Sequence, residues 1–367
     1  MSLFQPANDP PTKLGIYRVL SSRAGVRVSP LALGAMSIGD KWDAFGMGSM
    51  NKESSFKLLD AYFDMGGNYI DTANNYQDET SEQFIGEWTE KRGIRDQLII
   101  ATKYTSHFKR GNDAIAQKVN YVGNSTKSMH LSVEASLKKL RTSYIDILYL
   151  HCLHNLVAAR KVLYLGISDT PAWVVSQANQ YAIDHGKTPF VIYQGKWNIL
   201  DRSLEREIVP MAKSLGMAIS PWCVIAEGKL RTDAEEQQRR ETGEKGRMMF
   251  GDWQRTEVEV KVCKALEKVA AEVGVGSNIR AVAIAYLMHK TPYVFPILGG
   301  RKVEHLKANL AALDVSLSKE QMDYLDSVVP FDPGFPTTMI GDGSNYNIFL
   351  ASTAKMAKLP ALQPIKP

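Results

Sequence analysis

Cysteine is scarce. The 367 residues hold three, Cys152, Cys223 and Cys263, widely spaced and without a C-x-x-C pair. That excludes a disulfide framework, offers no zinc-binding spacing, and points to a reducing compartment, the cytoplasm. No apolar run approaches the ~20 residues that a bilayer crossing needs, and no hydrophobic signal core lies between Met1 and Lys13. Neither a membrane nor secretion is therefore expected, and the sequon Asn124-Ser125-Thr126 has no use in a cytosolic chain. The formal net charge is only +5, and no helix carries a dense Lys/Arg stripe interleaved with aromatics. Nucleic acid is thus not an expected partner, whereas an anionic cofactor suits the mild excess. No G-x-G-x-x-G follows the first strand, so the pyrophosphate turn of an open dinucleotide-binding sheet is missing.

What remains is a repeating pattern. Tyr17 to Leu20 and Val26 to Val28 flank a turn-forming stretch and predict a β-hairpin. Short apolar runs then recur at 31–34, 69–71, 98–102, 145–150, 162–167, 190–193, 217–220 and 294–298. Helical spacing fills most of the intervals, as at Met129, Val133, Leu137 and Leu140. Ser81 is placed as the N-cap of the second helix and Pro171 at the first position of another. The charged stretch Thr232 to Gly246 reads as an exposed loop or a loose helix. Eight strands alternating with helices predict an α/β fold, a closed parallel (β/α)8 barrel, with an open doubly wound sheet as the alternative. One unit is expected over residues 1–335. The tail, 336–367, is rich in Pro, Gly, Ser and Thr and is expected to be extended and then disordered.

In such a barrel the active site lies at the C-terminal strand ends. Those ends carry Asp71 with Tyr76 five residues on, Lys103, and His151. Together they can protonate a carbonyl while a hydride arrives from a nicotinamide. A free phenol, with pKa ~10, is a poor acid at neutral pH. An ammonium such as Lys103 lowers it by favouring the phenolate, and Asp71 can keep that ammonium charged and in place. His151 can orient the carbonyl. Arg301 and Lys302, at the start of a helix, suit a 2′-phosphate and so favour NADP over NAD.

Gly67 to Tyr76, Ala101 to Tyr104 and Tyr149 to His151 resemble the signature of the aldo-keto reductases. Val162 to Asp169 and Pro296 to Lys302 resemble its cofactor strands. The likeness covers about residues 12–335 and is nearest to the fungal aryl-alcohol dehydrogenases and norsolorinic acid reductase-like proteins. It implies metal-free, NADP(H)-dependent reduction of an aldehyde or ketone, with an aryl or polyketide-like secondary metabolite as substrate. It further implies a tetrad of Asp71, Tyr76, Lys103 and His151, with Tyr76 as general acid. Ser168, Asp169 and Gln194 take positions that hold the nicotinamide carboxamide. Pro221, Trp222, Gly299 and Gly300 fall beside the cofactor, and Asn309 at its adenine end. Where many members stack a Tyr on the nicotinamide, Ile219 takes the position, with Trp222 nearby. Non-catalytic, cofactor-binding members of the superfamily provide a second reading.

One feature departs from the pattern. Only the ten residues 152–161 connect the fourth and fifth barrel strands, against the 21 residues 169–189 of the next crossover. Eight helical residues return only about 12 Å at 1.5 Å each, while a strand spans about 17–20 Å. The fourth helix is therefore expected to be a stub, with neighbouring apolar surface less covered, at a stability cost of several kcal/mol beside the ~5–15 of a typical domain. A wider pocket, or a weakened and shortened isoform, are the two outcomes.

Overall fold

The computed structural model describes residues 6–46, 48–149, 154–243 and 253–341, and a few of the tail: 352, 354–355 and 363–365. An antiparallel hairpin, β1 (Arg18–Ser21) and β2 (Ala24–Val28), comes first. Eight parallel strands follow: β3 (Ala32–Gly34), β4 (Tyr69–Asp71), β5 (Ile99–Lys103), β6 (Ile145–Tyr149), β7 (Val162–Ser168), β8 (Phe190–Lys196), β9 (Ala218–Trp222) and β10 (Ile297–Gly299). Each pairs with the next in sequence, and β10 returns to β3. The ring closes between β9 and β10. A parallel bridge joins Ile219 to Val294, Phe295 N–H donates to Ile219 O at 2.9 Å, and Ser220 Oγ donates to Phe295 O at 2.9 Å. The eighth strand is shorter than its apolar run because Pro296 has no N–H for the ladder.

The helices are α1 (Lys52–Asp64), α2 (Thr80–Arg92), α3 (Thr126–Lys139), α4 (His154–Ala158), α5 (Ala172–Asp184), α6 (Ile208–Leu215), α7 (Asp233–Thr242), α8 (Glu257–Glu272), α9 (Ile279–Lys290), α10 (Val303–Leu310), α11 (Lys319–Val328) and α12 (Thr337–Ile340). The last forms a single turn inside the stretch read as extended. Pro171 stands one position earlier than expected, at the N-cap of α5, and makes no side-chain cap bond. As expected from its length, the fourth crossover holds only the five-residue α4. Leu163, on β7 beside it, is left 41% exposed, an unusual state for an apolar residue of a barrel strand.

Strands buried on both faces create two cores. Inside the barrel, Ala32, Tyr69, Ala101, Ile147, Tyr149, Ile192, Ala218 and Phe295 pack together, and the hairpin closes the bottom with Leu20, Ala24 and Val28. Outside, Leu33, Ile70, Ile100, Leu148, Leu165 and Ile219 meet the helices. Ser81 is not a cap. α2 begins one residue earlier, and the buried Ser81 hydroxyl donates to Ala35 O (2.9 Å) and pairs with Thr72 Oγ1 (3.0 Å). The hydroxyl thus ties α2 to the strand ends instead of satisfying a helix N–H.

α2 and α3 touch at Gly86, where a Cβ would stand 2.1 Å from Lys139 O and 2.7 Å from the Leu140 carbonyl carbon. Backbone cannot yield as a flexible side chain can. Gly86→Ala is expected to destabilise the protein by about 1–3 kcal/mol, read from urea denaturation. An unchanged midpoint would show that the two helices separate freely. Among the described residues, no helix is long and apolar enough to cross a membrane.

Candidate active site

A cavity of about 580 Å³ opens at the C-terminal ends of the strands. Asp71 (end of β4), Lys103 (end of β5) and Tyr76, on the loop after β4, line it. Lys103 Nζ donates to Asp71 Oδ1 at 2.5 Å and to Thr72 O at 2.8 Å. The same ammonium lies 5.2 Å from the centroid of the Tyr76 ring. Burial works against the charge on Lys103, yet Asp71 and Tyr76 outweigh it and hold its pKa above the ordinary lysine value. Lys103 therefore stays protonated well past neutral pH.

Below this pair lies a polar chain inside the barrel. Gln194 Nε2 donates to Asp71 Oδ2 at 2.8 Å, so both carboxylate oxygens are engaged. Tyr149 lies in the same interior, its hydroxyl 3.3 Å from that of Tyr69. Burial first, then the nearby Tyr69 and Asp71, push the Tyr149 phenol well above its usual value, so it remains neutral. Gln194 and Asp71 thus line the cavity side by side.

On the far side, Ser168, Asp169 and Trp222 line the cavity. Asp169 accepts from Ser168 Oγ (2.9 Å) and from Trp222 Nε1 (3.2 Å). Pro221 and Ile219 differ from Trp222 in the side of the strand they occupy. Successive residues of a strand point to opposite sides. Ala218 belongs to the inner core and Ile219 to the outer one, so Trp222 faces the cavity while Pro221 is buried and does not line it.

At the other end, Gly299, Gly300, Arg301, Lys302 and Asn309 line the cavity, joined by Arg239 of α7 and His305 of α10. Sequence reasoning missed the last two, and both left a signal. Thr232 with Glu235 forms a capping box that starts α7 in the stretch read as a loop or loose helix. His305 stands four residues before Asn309, on the same helical face. Gly48 is required on the opposite rim, because at its φ of 74° a Cβ would also meet the Arg301 guanidinium at 3.0 Å.

The third missed group is the segment after Tyr76. Gln77, Asp78 and Glu79 have φ of 53°, 47° and 80°, three left-handed residues in a row without a glycine. Each costs roughly 1 kcal/mol or more. Side-chain bonds hold all three. Gln77 bonds to the segment 36–48, Asp78 to Trp42 and Arg110, and Glu79 to Lys109 and Lys139. Nothing in a propensity scale announces such a turn.

His151, the fourth expected catalytic residue, and Cys152 beside it lie outside the described residues.

The model of the aldo/keto reductase family matches residues 30–330. An aryl-alcohol dehydrogenase [NADP(+)] of Phanerodontia chrysosporium is 61% identical over 384 residues, covering all of both chains. That alignment is longer than this chain, so the relative holds residues with no counterpart here. A putative aryl-alcohol dehydrogenase of Saccharomyces cerevisiae is 53% identical over 93% of each chain. Norsolorinic acid reductase B of Dothistroma septosporum is 48% identical over 88% of this chain and 84% of its own.

Proposed function

Because the chain belongs to the aldo/keto reductase family, we propose that it reduces an aldehyde or ketone to an alcohol with NADPH. The observation that carries the reading is the Lys103 ammonium, bonded to Asp71 and 5.2 Å from the Tyr76 ring centroid, at the mouth of a closed barrel. The residues present fit the cofactor: polar acceptors and an amide sit at one end of the cavity, and four basic side chains at the other. Ser168, Asp169 and Gln194 would hold the carboxamide. Arg301, Lys302, Arg239 and His305 would hold the phosphates, with Asn309 toward the adenine. Bound NADPH supplies the hydride. Tyr76 gives its hydroxyl proton to the carbonyl oxygen, and Lys103 stabilises the phenolate left behind. Asp71 keeps Lys103 charged and fixed. His151 is assigned to orient the carbonyl.

We take an aromatic or polyketide-like carbonyl as substrate, since the relatives are named for aryl alcohols and norsolorinic acid. A role in secondary metabolism belongs to the same reading. Free thiols at Cys223 and Cys263 suit the cytoplasm. The catalytic unit is assigned to residues 1–335, with 336–367 as a tail whose described residues line no part of the cavity. The stub α4 favours one alternative, a weak or non-catalytic NADPH-binding homologue.

Loss of NADPH absorbance with a panel of aromatic aldehydes tests the proposal. Turnover is expected, and NADPH binding without oxidation of any panel member favours the alternative. Arg301→Gln is expected to weaken NADPH by about tenfold or more, the scale of a charged hydrogen bond, while NADH changes little. Equal weakening of both would remove Arg301 from the 2′-phosphate.

A further inference from the structure

We propose that Gln77 and Asp78 are positioning residues that lock the loop of residues 36–48 to the peptide carrying Tyr76, so that the proton donor and the rim opposite it move as one piece. The inference rests on the reduction proposed above, in which Tyr76 gives the proton.

Gln77 is buried, and its amide is fully used. Its Oε1 accepts from the backbone N–H of Lys41 and of Trp42, both at 2.9 Å. Its Nε2 donates to Met36 O at 3.0 Å and to Gly48 O at 2.9 Å. Two donors and two acceptor sites are all that such an amide has. All four go to backbone atoms of one separate loop, and none to its own neighbours. The side chain therefore acts as a cross-link. The loop wraps it closely: a Cβ on Gly39 would stand 2.4 Å from the Gln77 Cβ.

Asp78 completes a circuit. Its Oδ1 accepts from Trp42 Nε1 (2.9 Å) and from Arg110 (3.0 Å). The Trp42 ring in turn meets the Tyr76 ring edge-on, with centroids 6.1 Å apart and planes at 72°. The wall against which Tyr76 leans is thus anchored two residues beyond Tyr76 itself. Three consecutive non-glycine residues keep left-handed φ in this turn, where the side-chain cross-links add to the backbone bonds Asp78 N–H to Asn75 O and Glu79 N–H to Tyr76 O, both 3.1 Å, in holding a costly geometry. Releasing the cross-links lets it relax, and Tyr76, adjacent to the first of the three, moves with it. Met36, Ser37 and Gly48 of the clamped loop line the cavity, so pressure from a bound substrate reaches Tyr76 through the same bonds.

The test compares Gln77→Gly and Gln77→Glu with the parent chain. Glycine takes the left-handed φ freely, so the first variant removes cross-link and strain together. Glutamate keeps the acceptor contacts and loses both donors. For Gln77→Gly, kcat is expected to fall about tenfold to a hundredfold, as misplacement of a catalytic group by an ångström does. Gln77→Glu, whose second carboxylate oxygen would face the Met36 and Gly48 carbonyls, should fall by a similar factor, and in both the Kd for NADPH should rise by a clearly smaller factor than kcat falls, although Gly48 adjoins Arg301. A kcat within twofold of the parent, or a loss carried equally by NADPH affinity, overturns the proposal. Should Gln77→Gly not fold, Asp78→Ala against Asp78→Asn tests the cross-link, with the larger kcat loss expected for alanine, because only asparagine keeps an acceptor for Trp42. A parent without turnover on any carbonyl defeats the proposed reaction and not the cross-link. The latter is then read from limited proteolysis with NADPH present: residues 36–48 should resist cleavage in the parent and be cut in Gln77→Gly, and equal resistance overturns it.

Discussion

Tyr76→Phe is expected to lower kcat for aldehyde reduction by about 10²- to 10⁴-fold, the range of a lost general acid. The substitution is clean. The ring keeps its edge contact with Trp42, and the Asp71–Lys103 pair keeps its own bond. NADPH affinity should therefore be unchanged, since Tyr76 stands at the carbonyl end of the cavity and the basic residues at the other. Lys103→Met is a less direct probe, because it also leaves Asp71, 4% exposed in its side chain, without its cation. Steady-state kinetics and fluorescence titration of NADPH together decide the matter. Turnover within tenfold of the parent would mean that another group delivers the proton.

Much of this site was legible because it sits on backbone that the apolar pattern alone defines. The run 98–102 ends on Lys103 and the run 69–71 on Asp71, and neighbouring parallel strands bring the two ends together. Ten residues between β6 and β7 forced a stub helix by reach alone, and α4 is five residues long. Where sequence reasoning failed, the deciding information was not local. Ser81 looked like a cap, but tertiary partners at Ala35 and Thr72 claimed its hydroxyl. Gln77 was invisible because its value lies in four backbone groups some 30 to 40 positions earlier.

The second large effect concerns the support behind Tyr76. Glu82 is fully buried, its Oε1 taking Thr102 Oγ1 at 2.6 Å and its Oε2 pairing with Lys139 Nζ at 2.7 Å. Lys139, 7% exposed in its side chain, also donates to Asn74 O at 2.9 Å and lies 3.2 Å from Glu79. It therefore ties α3 to α2 and to both flanks of the loop that carries Tyr76. Lys139→Met has similar length and leaves Glu82 as a buried charge with only a hydroxyl beside it. Breaking such a pair from one side costs about 3–5 kcal/mol, far more than the net worth of the pair. Chemical denaturation should show that loss, and kcat should fall in the folded fraction as Asn74 and Glu79 come loose. Adding Glu82→Gln removes the stranded charge and keeps an acceptor for Thr102. The double variant should thus be more stable than Lys139→Met alone. If the two losses simply add, the penalty is not electrostatic, and Lys139 acts through packing against Phe108, whose ring centroid lies 5.2 Å from its ammonium.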